Sequence, residues 1–183
     1  YRCNSAELRW YYRTENLLVS TRLPLNITYE RLNEWRPKTT QPHIRKEIYT
    51  WPQITFELKG VELNFSMQHK SPSQTLMLDV CNDSNPLSVF LGNPSLKSSY
   101  EYYCSVQWRG FKQEKMRQWN LGLYLHTIDN AIGQLRQFNP QNGGYIYIPW
   151  NIDGNRGLRA TGIISQSVDK EKHWFLNIGT NVS

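Results

Sequence analysis

No run of about 18 apolar residues occurs anywhere in the chain, so no membrane-spanning helix is predicted and no membrane insertion by this segment is expected. Cysteine is scarce: Cys3, Cys81 and Cys104 are all there is. An odd count leaves at most one intramolecular disulfide, with Cys81–Cys104 and Cys3–Cys104 both open, and one thiol over for a missing part of a parent chain. A Cys81–Cys104 bridge would close a loop of about two dozen residues, worth roughly 3 kcal/mol on the chain-entropy account. No Cys-x-x-Cys and no clustered histidine spacing occurs, so neither a metal nor a cofactor is expected. The four histidines, His43, His69, His126 and His173, are scattered. No nucleophile elbow, zinc-protease helix or phosphate loop is present, so no enzyme is expected. A hydrolase would need two convergent carboxylates, and nothing in the sequence selects a pair. The net charge is +6, yet the basic residues are dispersed and form no stripe, which argues against nucleic acid. A mildly basic surface also suits acidic cell-surface glycans or an acidic receptor patch.

Aromatic residues are plentiful, with seven Trp and eleven Tyr in 183 residues, and they favour strands and interfaces. The stretch Tyr100–Trp108 alternates with a period of two, and so does Trp119–Leu125, with a turn predicted at Arg109-Gly110. The clearest hairpin runs from Ile54 through Lys59-Gly60 to Met67, with Ile54, Phe56, Leu58, Val61, Leu63, Phe65 and Met67 on one face. Further strands are predicted at residues 7–13, 17–21, 26–30, 47–51, 76–81, 87–91, 145–150, 158–168 and 173–178. One helix is predicted after Asp129, from Ala131, Ile132, Leu135 and Phe138 at helical spacing, ending at Asn139-Pro140. Many short strands separated by turn signals imply a single mainly β domain over residues 1–183. The expected architecture is an antiparallel β-sandwich, immunoglobulin-like or jelly-roll-like, with one short helix and long loops.

Four acceptor sequons, at Asn26, Asn64, Asn82 and Asn181, point to an extracellular glycoprotein, secreted or on a virion surface. Tyr1 in place of a start methionine is expected if a leader has been lost or the segment was cut from a larger protein. A glycan on Asn26 requires that side chain to face solvent. Exposed Trp, Tyr and Arg anchor protein interfaces. The proline-rich loop 33–46 with Trp35 and Arg36, its neighbour Trp51, and the basic turn with Arg109, Phe111 and Lys112 are therefore the candidate contact residues. The alternative is a lectin-like carbohydrate-binding sandwich, which needs coplanar exposed rings with amides between them.

Three stretches carry a resemblance. They are Asn26-Ile27-Thr28-Tyr29-Glu30, then Val80-Cys81-Asn82-Asp83 with Asn85-Pro86-Leu87-Ser88-Val89, then Trp119-Asn120-Leu121-Gly122-Leu123-Tyr124. In that order they resemble the receptor-binding domain of gammaretrovirus-type envelope surface subunits, including endogenous relatives. That family is richer in disulfides than this chain. The resemblance implies an antiparallel sandwich whose loops bind a host cell-surface receptor, without catalysis.

Overall fold

A computed structural model describes residues 2–32, 43–78, 81–169, 171 and 173–183. Thirteen strands follow in chain order among them: β1 (Arg2–Arg13), β2 (Leu17–Leu32), β3 (His43–Thr50), β4 (Gln53–Leu58), β5 (Val61–Lys70), β6 (Cys81–Asn82), β7 (Ser88–Leu91), β8 (Ser99–Lys112), β9 (Arg117–Asp129), β10 (Ala131–Asn139), β11 (Gly144–Ile152), β12 (Asn155–Ser167) and β13 (Phe175–Val182). A one-turn helix α1 (Gln74–Met77) and a 3-10 turn at Gln113–Lys115 complete the described elements. The chain is mainly β, as expected, with antiparallel pairing in all but one contact and two sheets in a sandwich-like arrangement.

The large sheet runs β1-β2-β4-β5-β8-β9-β12-β13, and β3 pairs with the second half of β2. The small sheet runs β10-β11-β7-β6, with β7 parallel to β11. One bent ribbon links the sheets. β9 and β12 pair up to Ile128 opposite Asn155, and β10 and β11 resume pairing at Ala131 opposite Ile152. Between them Asn130 takes φ 52° and Gly154 takes φ 88°, so both strands turn the corner together. The Asn130 amide donates to Asp153 Oδ1 at 2.9 Å, and Asn151 Nδ2 donates to the Asn130 carbonyl at 2.9 Å, which pins that corner.

Three local expectations are corrected. The predicted helix after Asp129 is strand β10. Its apolar residues do fall at helical spacing, but β11 supplies a complete ladder partner, and Gly133 makes room for the Ile152 side chain. The predicted strand at 76–81 begins instead as α1, and among the described residues it pairs at Cys81. The predicted turn at Arg109-Gly110 is strand, because β8 continues to Lys112 and the reversal falls at Gln113–Met116, where Met116 takes φ 43°. Gly110 belongs in that strand for a packing reason: a Cβ there would sit 2.0 Å from the Trp119 ring.

The Lys59-Gly60 hairpin forms where the sequence places it, with both residues at positive φ as a two-residue turn demands. A Cβ on Gly60 would lie 2.3 Å from the Arg109 carbonyl, and the Gly60 carbonyl accepts the Arg109 amide at 2.7 Å. Gly60→Ala is therefore expected to lower unfolding stability by about 1–3 kcal/mol, measured by thermal or denaturant unfolding. An unchanged midpoint would contradict this close approach.

The interior is small. Met77 and Leu96 are the buried hydrophobic side chains among the described residues. The chain exposes 13648 Å² of surface, whereas a compact monomer of this mass exposes roughly 9,200 Å². The open face of the large sheet contributes to that excess.

Candidate functional site

Cross-strand partners lie on the same face of a sheet, so the register sorts every side chain of the large sheet to one side or the other. One row reads Tyr12, Val19, Phe56, Leu63, Val106, Leu123, Ala160 and Val182 across eight strands, with the Tyr12 hydroxyl at its edge as its polar group. The next reads Trp10, Thr21, Ile54, Phe65, Cys104, Leu125 and Leu158. On the other side follow Leu17, Leu58, Val61, Trp108 and Leu121, then Trp119, Ile164 and Ile178. Eight strands span about 34 Å, and the apolar part of β9 from Trp119 to Leu125 spans about 20 Å. The flat area is on the order of 700 Å², above the few hundred Å² that soluble monomers usually expose as one patch. These side chains stand open: Leu123 is 48% exposed, Leu125 50% and Leu158 58%.

At one end the face deepens into a groove of about 600 Å³ between Trp108, Trp119, Ile164, Leu176 and Ile178. The two indoles meet edge to face at 5.6 Å. Arg117 and Gln166 close the groove, hydrogen-bonded to each other at 2.9 Å.

The opposite face is the more polar one, although Tyr11, Tyr103, Ile163 and Phe175 also stand on it. Glu7 accepts from Arg9 at 2.6 Å and from Arg22, and these two hydrogen bonds hold its carboxyl at a pKa of about 2. Glu62 is ion-paired with Arg109. Asn64 accepts from Thr55 at 2.8 Å and donates to Glu62 at 2.6 Å.

A third feature sits where β3 meets the connection into β8. Ser98 donates to Glu47 at 2.6 Å, Ser71 donates to it at 2.9 Å, and Arg45 is ion-paired with the same carboxylate. Burial disfavours the Glu47 charge, but these donors outweigh it and hold the carboxyl below its ordinary range. His69 lies 3.6 Å from Glu47 with its side chain 2% exposed, and it stacks on Tyr49 at 3.8 Å. Burial lowers its pKa, the nearby Glu47 opposing and Arg45 adding to the shift. The arrangement is a folded corner, with no open carboxylate pair to act on a substrate. On the small sheet, Phe90 and Tyr147 stack at 4.9 Å and line a cleft of about 470 Å³ with Asn82, Gln134 and Pro149.

The candidate contact residues divide. Arg109, Phe111 and Lys112 stand together near the reversal after β8, with Phe111 59% exposed and Lys112 3.4 Å from Glu114. Trp51 is half-buried against Tyr49 at 5.5 Å, at the far end of the strands, about 24 Å along from Arg109. Trp35 and Arg36, with most of loop 33–46, lie outside the described residues. The structure therefore gathers three of the four described candidates and separates the fourth.

The sequons need one correction. Asn26 is 4% exposed with no partner for its amide nitrogen, and Thr28 is 5% exposed, so this sequon is closed in the folded chain. Both fall on the covered side of β2, where Pro24 is also buried. Asn82 and Asn181 are exposed, while Asn64 is half-buried and engaged at both ends of its amide.

The disulfide expectation is corrected as well, since all three cysteines are free and exposed. Cys3 on β1 and Cys104 on β8 are four strand positions apart in one sheet, about 19 Å and far beyond bridging distance. Cys81 belongs to the small sheet. Intact mass after secretory expression, with thiol alkylation, is expected to show three free thiols and glycans on Asn82 and Asn181 but never on Asn26. A bridged pair or an occupied Asn26 would contradict these placements.

Comparison with protein-family models, with curated proteins and with solved structures finds no match to the chain. Among the described residues no group of three or more His, Cys, Asp or Glu could hold a metal, and no helix is long and apolar enough to cross a membrane.

Proposed function

We propose that this chain is a binding domain without catalysis that works through the apolar face of its large sheet. One observation carries the reading: eight strands align their apolar alternation into rows whose side chains are exposed or half-exposed to solvent. A sheet with one side greasy and the other laced with ion pairs is built to lie against something apolar. The fluorescence of 8-anilinonaphthalene-1-sulfonate is expected to rise strongly on the folded chain. Val106→Asp or Leu123→Asp should remove most of that rise, and Ser105→Asp on the polar face should not. Equal dye binding by all three variants would sink the reading.

A second reading is attachment to a host cell-surface receptor by a viral envelope-type glycoprotein, secreted or virion-borne. It is supported by the sequons at Asn64 and Asn181, which fall on the polar face and leave the apolar face and the Phe111 tip free of glycan. Binding of the secreted chain to intact cells, abolished by Phe111→Ala with Arg109→Ala, is the result that reading requires. The lectin-like alternative draws support from the cleft with Phe90 and Tyr147, but those rings stack on each other and present no open platform.

A further inference from the structure

We infer that the partner of the apolar face is the surface of an anionic phospholipid layer, a step that rests on the binding reading above. The sheet lies on the layer with its apolar rows in the hydrocarbon and its ion-paired face in water.

Three observations select lipid over protein. First, the face has almost nothing to recognise. Its central rows offer few polar groups, the Tyr12 hydroxyl, the Trp10 indole N–H, Thr21 and the Cys104 thiol, whereas a protein interface of this size carries several hydrogen bonds and a mixed core. Second, the charges are sorted. By register Arg31, Lys46, Lys112, Arg117 and Arg156 lie at the ends of the apolar face, with Asp129 as the acid there. The acids Glu7, Glu57, Glu62 and Glu101 lie on the opposite face, where the arginines Arg9, Arg13, Arg22, Arg109 and Arg159 also lie, so the excess of positive charge is on the apolar side. A basic rim around an apolar patch matches phosphate headgroups around acyl chains. Third, the edges of the sheet are open. The large sheet ends at β1 and β13, which have no further partner among the described strands. Unpaired edge groups cannot sit inside a bilayer, but at the headgroup level of a sheet lying flat they remain hydrated.

The test is flotation of the full chain with vesicles of phosphatidylcholine containing phosphatidylserine, against vesicles of phosphatidylcholine alone. Binding to the anionic vesicles is expected to be stronger by on the order of a thousandfold at low salt, from five rim cations less Asp129, and to weaken as salt is raised. The triple variant Lys46→Gln, Arg117→Gln, Arg156→Gln should lose most of that preference, and Arg13→Gln on the polar face should keep it. Alkaline carbonate should strip the bound chain. Equal binding to both vesicles overturns the inference, as does retention through carbonate, which would mean a spanning wall. A discrete lipid-free dimer with both apolar faces protected would also overturn it, naming a second copy as the occupant. If the chain binds the apolar dye but neither vesicle, the lipid inference falls and the binding reading stands. If it binds neither dye nor vesicle, both fall.

Discussion

Moved from a neutral detergent into plain buffer, the folded chain is expected to leave the dispersed monomeric state and sediment as large aggregates, while detergent keeps it monodisperse and β-rich. The magnitudes drive this outcome. About 700 Å² of flat apolar sheet at roughly 25 cal/mol per Å² leaves on the order of 17 kcal/mol of burial unrealised in water. A whole domain is stable by only about 5–15 kcal/mol, so an uncovered face of this size dominates the behaviour of the molecule. The open edges β1 and β13 aggravate it, since each offers a free strand edge to another copy. Sedimentation velocity with circular dichroism reads both states. Val106→Asp, at the centre of the row from Tyr12 to Val182, should raise solubility in plain buffer at the expense of detergent binding. A monodisperse monomer in buffer without detergent would mean that the face is already covered and would remove the basis of the functional reading.

The second large effect falls on the folded corner. Glu47→Ala is expected to destabilise the chain by about 3–5 kcal/mol, because it leaves Arg45 poorly hydrated and unpaired. The Arg45 side chain is 12% exposed, and besides Glu47 its partners among the described residues are Ser98 and the Met77 sulfur. Glu47→Gln keeps the acceptor oxygen and should cost markedly less. The same corner sets an acid limit. His69 is held neutral in the fold, so the unfolded chain takes up the proton first, and stability falls as pH drops through the ordinary histidine value of 6.5. Glu47, held below the ordinary carboxyl range, adds a further loss below pH 4.5. Thermal unfolding in detergent between neutral and acid pH measures both, and His69→Phe should remove the first phase. A profile that stays flat down to pH 5 would contradict the buried neutral histidine.

Most strands were legible because alternation is a local signal. Ile54, Phe56 and Leu58 against Val61, Leu63 and Phe65 named a hairpin, its turn and its apolar side at once. The two faces of that hairpin were readable too, including Asn64 on the polar side. Strand order and register were not legible, because they depend on which apolar faces line up, and period two fits any partner. That is why the rows across eight strands, the main feature of the site, escaped a reading made strand by strand. The alternation that would have revealed them was present in every strand. It was read as half of a sandwich core, since an apolar face normally implies a facing sheet. Asn26 was misread for a related reason. Its alternation with Ile27 shows two sides, but only the packing at the β3 corner shows that the polar side is the covered one. At Ala131–Phe138 a helical period competed with a ladder partner, and the partner is remote in sequence. Trp51 and Phe111 were chosen for residue type and for their place beside a loop and a turn, and neither reports that one lies against Tyr49 and the other stands open.

The chain carries its own probes for the central claim, because its free thiols fall on different faces. Cys104 lies in an apolar row opposite Phe65, and Cys3 lies on the polar side opposite Thr28. Both are exposed in the bare chain. The decisive measurement is the rate of alkylation of each thiol by a charged, water-soluble reagent, with and without a bound lipid or detergent layer. Cys104 is expected to become protected at least tenfold in the bound state, while Cys3 keeps its rate. Equal protection of both, or of neither, would contradict the claim that the apolar face is the working surface.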